Sequence, residues 1–128
     1  MRKALILLIP LLYLSCFQAE RQCSDFKTGT FTFNYTIDGV KKTGTFVRTE
    51  HYNIDFFDNK VDSASIRWIN DCEFIQKDLH PKNLNEQKDI HFKIISTDKD
   101  SYTFEYKLAV KDPYKKQRVE KGTATKIK

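Results

Sequence analysis

From Thr30 to Ile37 polar and apolar residues alternate strictly, and this two-residue period returns along most of the chain. Successive side chains of a strand point to opposite faces, so the pattern belongs to half-buried β-strands and not to an amphipathic helix. Phe31, Phe33, Tyr35 and Ile37 fall on one face, with Thr30, Thr32, Asn34 and Thr36 on the other. Asp38-Gly39 follows, a pair suited to a two-residue hairpin because glycine takes positive φ at no steric cost. A return strand is expected over 41–49. Tyr52, Ile54 and Phe56 form the next apolar stripe, Asp58-Asn59 turns the chain, and Ala64, Ile66 and Trp68 form another. Asn70-Asp71 is a tight turn into Cys72-Glu73-Phe74-Ile75. Residues 80–87, opened by His80-Pro81, are the longest polar break and read as a loop. Ile90, Phe92 and Ile94 resume the alternation. Tyr102, Phe104, Tyr106 and Leu108 make the most regular strand, and a last strand is expected over 118–127.

These segments amount to about eight strands joined mostly by short turns, and no segment has a helical period. A meander of that kind must close on itself or stack in two layers to cover its edges and its apolar face. The expected fold is all-β, a single antiparallel meander closing into a small lipocalin-like barrel or half-barrel. A flattened sandwich is the alternative. The 128 residues leave room for one domain.

The start of the chain follows another pattern. Met1-Arg2-Lys3 is positive, residues 4–14 are apolar and uncharged, and polar sequence resumes at Ser15. Such a run is too short to cross a bilayer, which takes about 20 residues. It fits the apolar part of a secretion signal, about 7–15 residues, and Pro10 disfavours a buried helix there. Residues 1–15 are therefore expected to be a signal peptide removed on export. Tyr13-Leu14-Ser15-Cys16 resembles a bacterial lipobox, with Tyr13 where leucine is usual. The resemblance implies lipidation of Cys16, a lipid-anchored tether over 16–22, and a β domain over 23–128. Membrane attachment through that anchor is the partner it implies. Cleavage after Ala19, giving a secreted or periplasmic soluble protein, is the alternative.

The chain has three cysteines, Cys16, Cys23 and Cys72. An odd number in an exported protein leaves one thiol to explain. A lipid on Cys16 would leave Cys23 and Cys72 as a pair, and a disulfide is the default outside the cytoplasm. Closing a loop of about 50 residues contributes roughly 3–4 kcal/mol on the chain-entropy account. Two buried free thiols are the other reading.

Without Arg2 and Lys3 the formal charge falls from +5 to +3, and residues 115–128 hold six basic side chains against Glu120 alone. A basic segment can meet anionic lipid, polysaccharide or nucleic acid. The plainer reading is a solvated edge strand whose lysines block edge-to-edge pairing, and nucleic-acid binding is not expected. His51, His80 and His91 lack zinc-like spacing and there is no C-x-x-C, so neither metal nor cofactor is expected. Thr28-Gly29-Thr30-Phe31 and Thr43-Gly44-Thr45-Phe46 repeat one phrase. Glycine within a strand marks a bend, a bulge or close backbone approach by a ligand.

Ten phenylalanines and six tyrosines, with Trp68, fall mostly on strand faces. Phe31, Phe33, Tyr35, Tyr52, Phe56, Trp68, Phe104 and Tyr106 are the candidate core or pocket. In a domain this small a filled interior is expected, and a barrel lined by these residues would otherwise hold a small apolar ligand.

The phrases Cys23-Ser24-Asp25-Phe26-Lys27-Thr28-Gly29-Thr30-Phe31 and Ile66-Arg67-Trp68-Ile69-Asn70-Asp71-Cys72-Glu73-Phe74 carry a resemblance. The chain resembles a family of small exported proteins of Bacteroidota, mainly flavobacteria, over nearly all of its length after the signal. The resemblance implies a lipoprotein or secreted β protein and fits a Cys23–Cys72 bridge. Some such sequences carry the name DNA topoisomerase IV, an enzyme for which this chain is too short and lacks the ATPase motifs. No catalytic residue is carried over. The expected function is that of an exported cell-envelope lipoprotein, a non-catalytic binding or structural module for a small apolar ligand or an envelope protein. The alternative is a small hydrolase-type enzyme at the barrel mouth, needing convergent polar groups such as His51, Asp55 or Glu73.

Overall fold

The computed structural model describes residues 20–128, so the expected signal peptide, Cys16 and most of the tether lie outside the described residues. Eight strands follow in order: β1 (Gly29–Ile37), β2 (Val40–Arg48), β3 (Tyr52–Phe57), β4 (Lys60–Asn70), β5 (Glu73–Asp78), β6 (Ile90–Thr97), β7 (Ser101–Leu108) and β8 (Glu120–Lys126). Each pairs antiparallel with the next, and β8 pairs back onto β1 to close a barrel. The meander expected from the alternation is thus a closed barrel and not a sandwich. The basic last strand is not an edge: β8 is bonded on both sides, to β7 and to β1.

Two tight turns set the register of the first four strands. Asp38 and Gly39 have φ of 51° and 77°, and Asp58 and Asn59 have φ of 49° and 57°. Two consecutive positive φ values give the turn whose twist matches a hairpin. Ile37 therefore faces Val40, and Phe57 faces Lys60. In an antiparallel pair, opposed residues share a face. Phe31 and Phe33 point inward, so their partners Phe46 and Gly44, and with them Arg48 two residues on, take the inner face too.

The same rule corrects the reading of β3. Tyr52, Ile54 and Phe56 were expected inside, yet Tyr52 is 50% and Phe56 43% exposed. Ala64 points into the barrel and stands opposite Asn53, so Asn53, Asp55 and Phe57 take the inner face. One partner's burial fixes the other's, because a slip by one residue would turn every side chain of β3 over.

One end of the barrel is plugged. A 3-10 turn, Cys23–Phe26, lies across it and buries Phe26. Cys23 is bonded to Cys72 in the β4–β5 turn, so the plug is fastened covalently to the barrel wall. Ahead of it, Arg21 Nη1 donates to the Ile94 carbonyl (2.8 Å) and the Gln22 amide to Thr97 Oγ1 (2.9 Å). Phe26, Phe31, Phe46, Ile94, Tyr102 and Ala124 form the core directly above the plug. Phe31 stacks on Phe46 with centroids 4.9 Å apart, and Phe26 meets Tyr102 at 5.2 Å.

Candidate functional site

Above this core the barrel is not filled. A cavity of about 380 Å³ occupies the half nearer the Asp38-Gly39 and Asp58-Asn59 turns. This corrects the expectation of a filled interior and falls in the range of small-molecule sites, about 300–1,000 Å³. The glycines explain it. Gly44 is the cross-strand partner of Phe33, and Gly122 that of Phe104. A methyl group on either glycine would collide with the opposing ring. Each ring therefore lies over its partner's bare backbone, against the wall instead of across the lumen. Tyr35, Phe57, Phe92 and Tyr106 continue the aromatic wall.

The floor holds a buried cation. Arg48 is 5% exposed. Its Nε donates to Asn53 Oδ1 (3.3 Å), Nη1 to the Phe26 carbonyl (3.1 Å) and Nη2 to the Tyr102 hydroxyl (2.8 Å). Its guanidinium carbon lies 4.8 Å from the centroid of Phe74, 5.1 Å from Phe46 and 5.3 Å from Phe31. No carboxylate among the described residues is within ion-pair distance of it. Its counter-charge is one step away: Asn53 Nδ2 donates to Asp55 Oδ1 at 2.8 Å. Arg48 is thus held by neutral acceptors and ring faces, and its charge is balanced through Asn53 by Asp55.

Asp55 faces the lumen between aromatic rings. Burial raises its pKa from 3.8 to about 6, against the hydrogen bond from Asn53 and the field of Arg48, and the facing Asp62 raises it further. Asp55 and Asp62 are direct cross-strand partners, a like-charge opposition that costs stability. Burial also pushes the Tyr102 phenol up, against the pull of Arg48. A second hollow of about 230 Å³ shares Asp55, Phe57 and Gln76 with the first and adds Asp62, Asp78, Glu86 and Lys88. The mouth of the cavity is therefore rich in carboxylates although the chain as a whole is basic.

Of the candidate pocket residues, Phe33, Tyr35, Phe104 and Tyr106 line the cavity. Phe31 is fully buried in the core below it. Trp68 packs at the plugged end against Phe74 (4.8 Å), its indole nitrogen buried without a hydrogen-bond partner among the described residues. Tyr52 and Phe56 are on the outer surface. Cys23 and Cys72 are bonded as expected, and Cys16 lies outside the described residues. Of the polar groups suggested for a catalytic mouth, only Asp55 lines the cavity. His51 is exposed beside the β2–β3 turn. Glu73 contacts His91 at 3.1 Å on the outside, its carboxyl held below the usual range by Asn70 and then by His91. Arg48, Asn53 and Gln76 are site residues that the apolar alternation did not single out, and Tyr102, though part of the β7 stripe, lies outside the expected pocket set. Among the described residues, no group of three or more His, Cys, Asp or Glu side chains is placed to hold a metal ion.

No protein-family model matches the chain, and no curated protein matches it.

Proposed function

We propose that this chain is an exported cell-envelope lipoprotein whose barrel binds a small, largely apolar molecule. The cavity carries the reading: about 380 Å³ with aromatic walls, kept empty by two glycines placed under Phe33 and Phe104. A barrel serving only as a structural module would gain stability by filling that space, since voids forfeit packing contacts. The Cys23–Cys72 bridge agrees with an oxidising compartment, and it joins the two phrases shared with the exported proteins this chain resembles. The segment before the plug leaves at the closed end, where Arg21 and Gln22 are held by β6. A lipid on Cys16 would therefore turn the plug toward the membrane and the cavity mouth away from it.

Two measurements test this. N-phenyl-1-naphthylamine, uncharged at neutral pH, is expected to bind with saturable one-to-one fluorescence enhancement, and Gln76→Trp, which places bulk in the lumen, to abolish it. Absence of saturable binding to the folded protein overturns the binding role. The intact mass of the mature protein is expected to show acyl chains on Cys16. An unmodified cysteine refutes the anchor and leaves the cavity untouched.

A further inference from the structure

We propose that the ligand of this cavity is an organic cation, an amine or quaternary ammonium with an apolar body, whose charge rests beside Asp55 and Asp62 at the mouth. The inference rests on the cavity being a ligand site and names the chemistry it selects. Two full charges line the main cavity, Arg48 and Asp55. They are not equally available. Arg48 is enclosed: three of its five N–H donors are bonded and five aromatic rings surround it within 6.0 Å. Asp55 accepts its side-chain hydrogen bond at Oδ1 from Asn53 and is in no ion pair among the described residues. The accessible charge is negative.

The surroundings point the same way. Aromatic rings present a negative face, and cages of such rings with a carboxylate attract ammonium groups strongly once water is excluded. Phe57 and Tyr106 stand with Asp55 around the lumen. Directly across the ladder, Asp62 repels Asp55, and a cation between them removes that cost. Asp78 and Glu86 extend the negative rim, with Lys88 the one base beside them. A rim in which one sign predominates, over low-dielectric walls, concentrates ligands of the other sign. The apolar body then occupies the well formed by Phe33, Phe74, Phe92 and Phe104. An anionic ligand would have to pass these carboxylates to reach a guanidinium already capped.

The test is a three-probe titration of the purified, oxidised full chain near pH 7.5, followed by NMR. The probes are benzyltrimethylammonium, its uncharged isostere neopentylbenzene, and 3-phenylpropionate. Benzyltrimethylammonium is expected to bind at least about tenfold more tightly than neopentylbenzene, and 3-phenylpropionate most weakly. Asp55→Asn is expected to erase the cation's advantage over neopentylbenzene, and Asp62→Asn to reduce that advantage in part. Equal binding of cation and isostere overturns the cation inference but leaves the cavity as an apolar site. Preference for 3-phenylpropionate overturns it in favour of Arg48. Failure of all three to bind refutes the ligand-binding reading itself. The probe order on the wild-type chain decides the matter even if a variant does not fold.

Discussion

The ring of Phe33 lies over the backbone of Gly44, its direct cross-strand partner, so closely that the glycine cannot carry a methyl group while the ring stays in place. Phe104 and Gly122 repeat the arrangement on β7 and β8. The open half of this barrel is made by these two pairs. Gly44→Ala must push Phe33 into the lumen, and such overpacking costs about 1–3 kcal/mol. Urea denaturation should show that loss, with weakened N-phenyl-1-naphthylamine binding. The costs of Gly44→Ala and Phe33→Ala should fall short of additive in the double variant, because the collision is absent once the ring is removed.

The bond between Cys23 and Cys72 spans 49 residues and holds the plug to the barrel. Replacing both cysteines by alanine should lower stability by roughly 4 kcal/mol through the entropy regained by the unfolded chain. For a domain of this size that moves the melting temperature by about 15 °C or more. Circular dichroism melts of the variant, and of the native chain with and without reductant, measure it.

Arg48 should resist conservative replacement. Lysine has one compact charge and no planar face, so it cannot satisfy Asn53, the Phe26 carbonyl and Tyr102 together while stacking on Phe74. Arg48→Lys is expected to cost about 2–4 kcal/mol. Tyr102→Phe, which removes one hydrogen bond to a charged group, should cost about 1.5–3 kcal/mol. A chevron or equilibrium denaturation series on the two variants is the check.

Asp55 should make the protein less stable as pH rises through the weakly acidic range. Its pKa is higher folded, about 6, than the ordinary 3.8, so the folded state binds the extra proton between these values. Stability from this group is present below about pH 4 and is lost as pH climbs to about 6, by at most about 3 kcal/mol. Asp55→Asn, which keeps the shape, should remove that slope and be the more stable form at pH 7.5. The difference between the two proteins in pH-dependent denaturation isolates the effect from other titrating groups.

Binding of benzyltrimethylammonium should run the opposite way. The probe's charge does not titrate, so its pH dependence reports on the site. Asp55 faces Asn53 on its own strand, Arg48 on β2 and Asp62 on β4. Acidification to pH 5 leaves about a tenth of a group with pKa near 6 ionised, and affinity should fall roughly tenfold. Titrations at pH 5 and pH 8 measure the change, and neopentylbenzene, the uncharged control, should show none.

Much of the barrel was open to reading from residues alone. Alternation located the strands, and Asp38-Gly39 and Asp58-Asn59 located the hairpins. Even the inner face of β3 was within reach. A two-residue turn at Asp58-Asn59 opposes Asn53 to Ala64 and Asp55 to Asp62, so the inward set Ala64, Ile66 and Trp68 carries Asn53 and Asp55 inside with it. Reading β3 by its own apolar stripe gave the wrong face, because Tyr52, Ile54 and Phe56 cover the outside of the barrel while the inner face of that strand carries the polar floor of the site. Arg48 follows from Phe31 by the same counting across the first hairpin.

The order of polar and apolar residues thus determined that this chain is a β meander with a pair of cysteines free to bridge it, because strand period and turn chemistry are local properties. Whether the lumen is full or hollow was decided only by the closed structure. It depends on which residue stands across the ladder from each ring, and two aromatic side chains meet glycines there instead of one another. The cage around Arg48 likewise draws on residues far apart in the chain: Phe26 of the plug, Phe74 on β5 and Tyr102 on β7 meet it only in the closed barrel, with Asp55 above it toward the mouth.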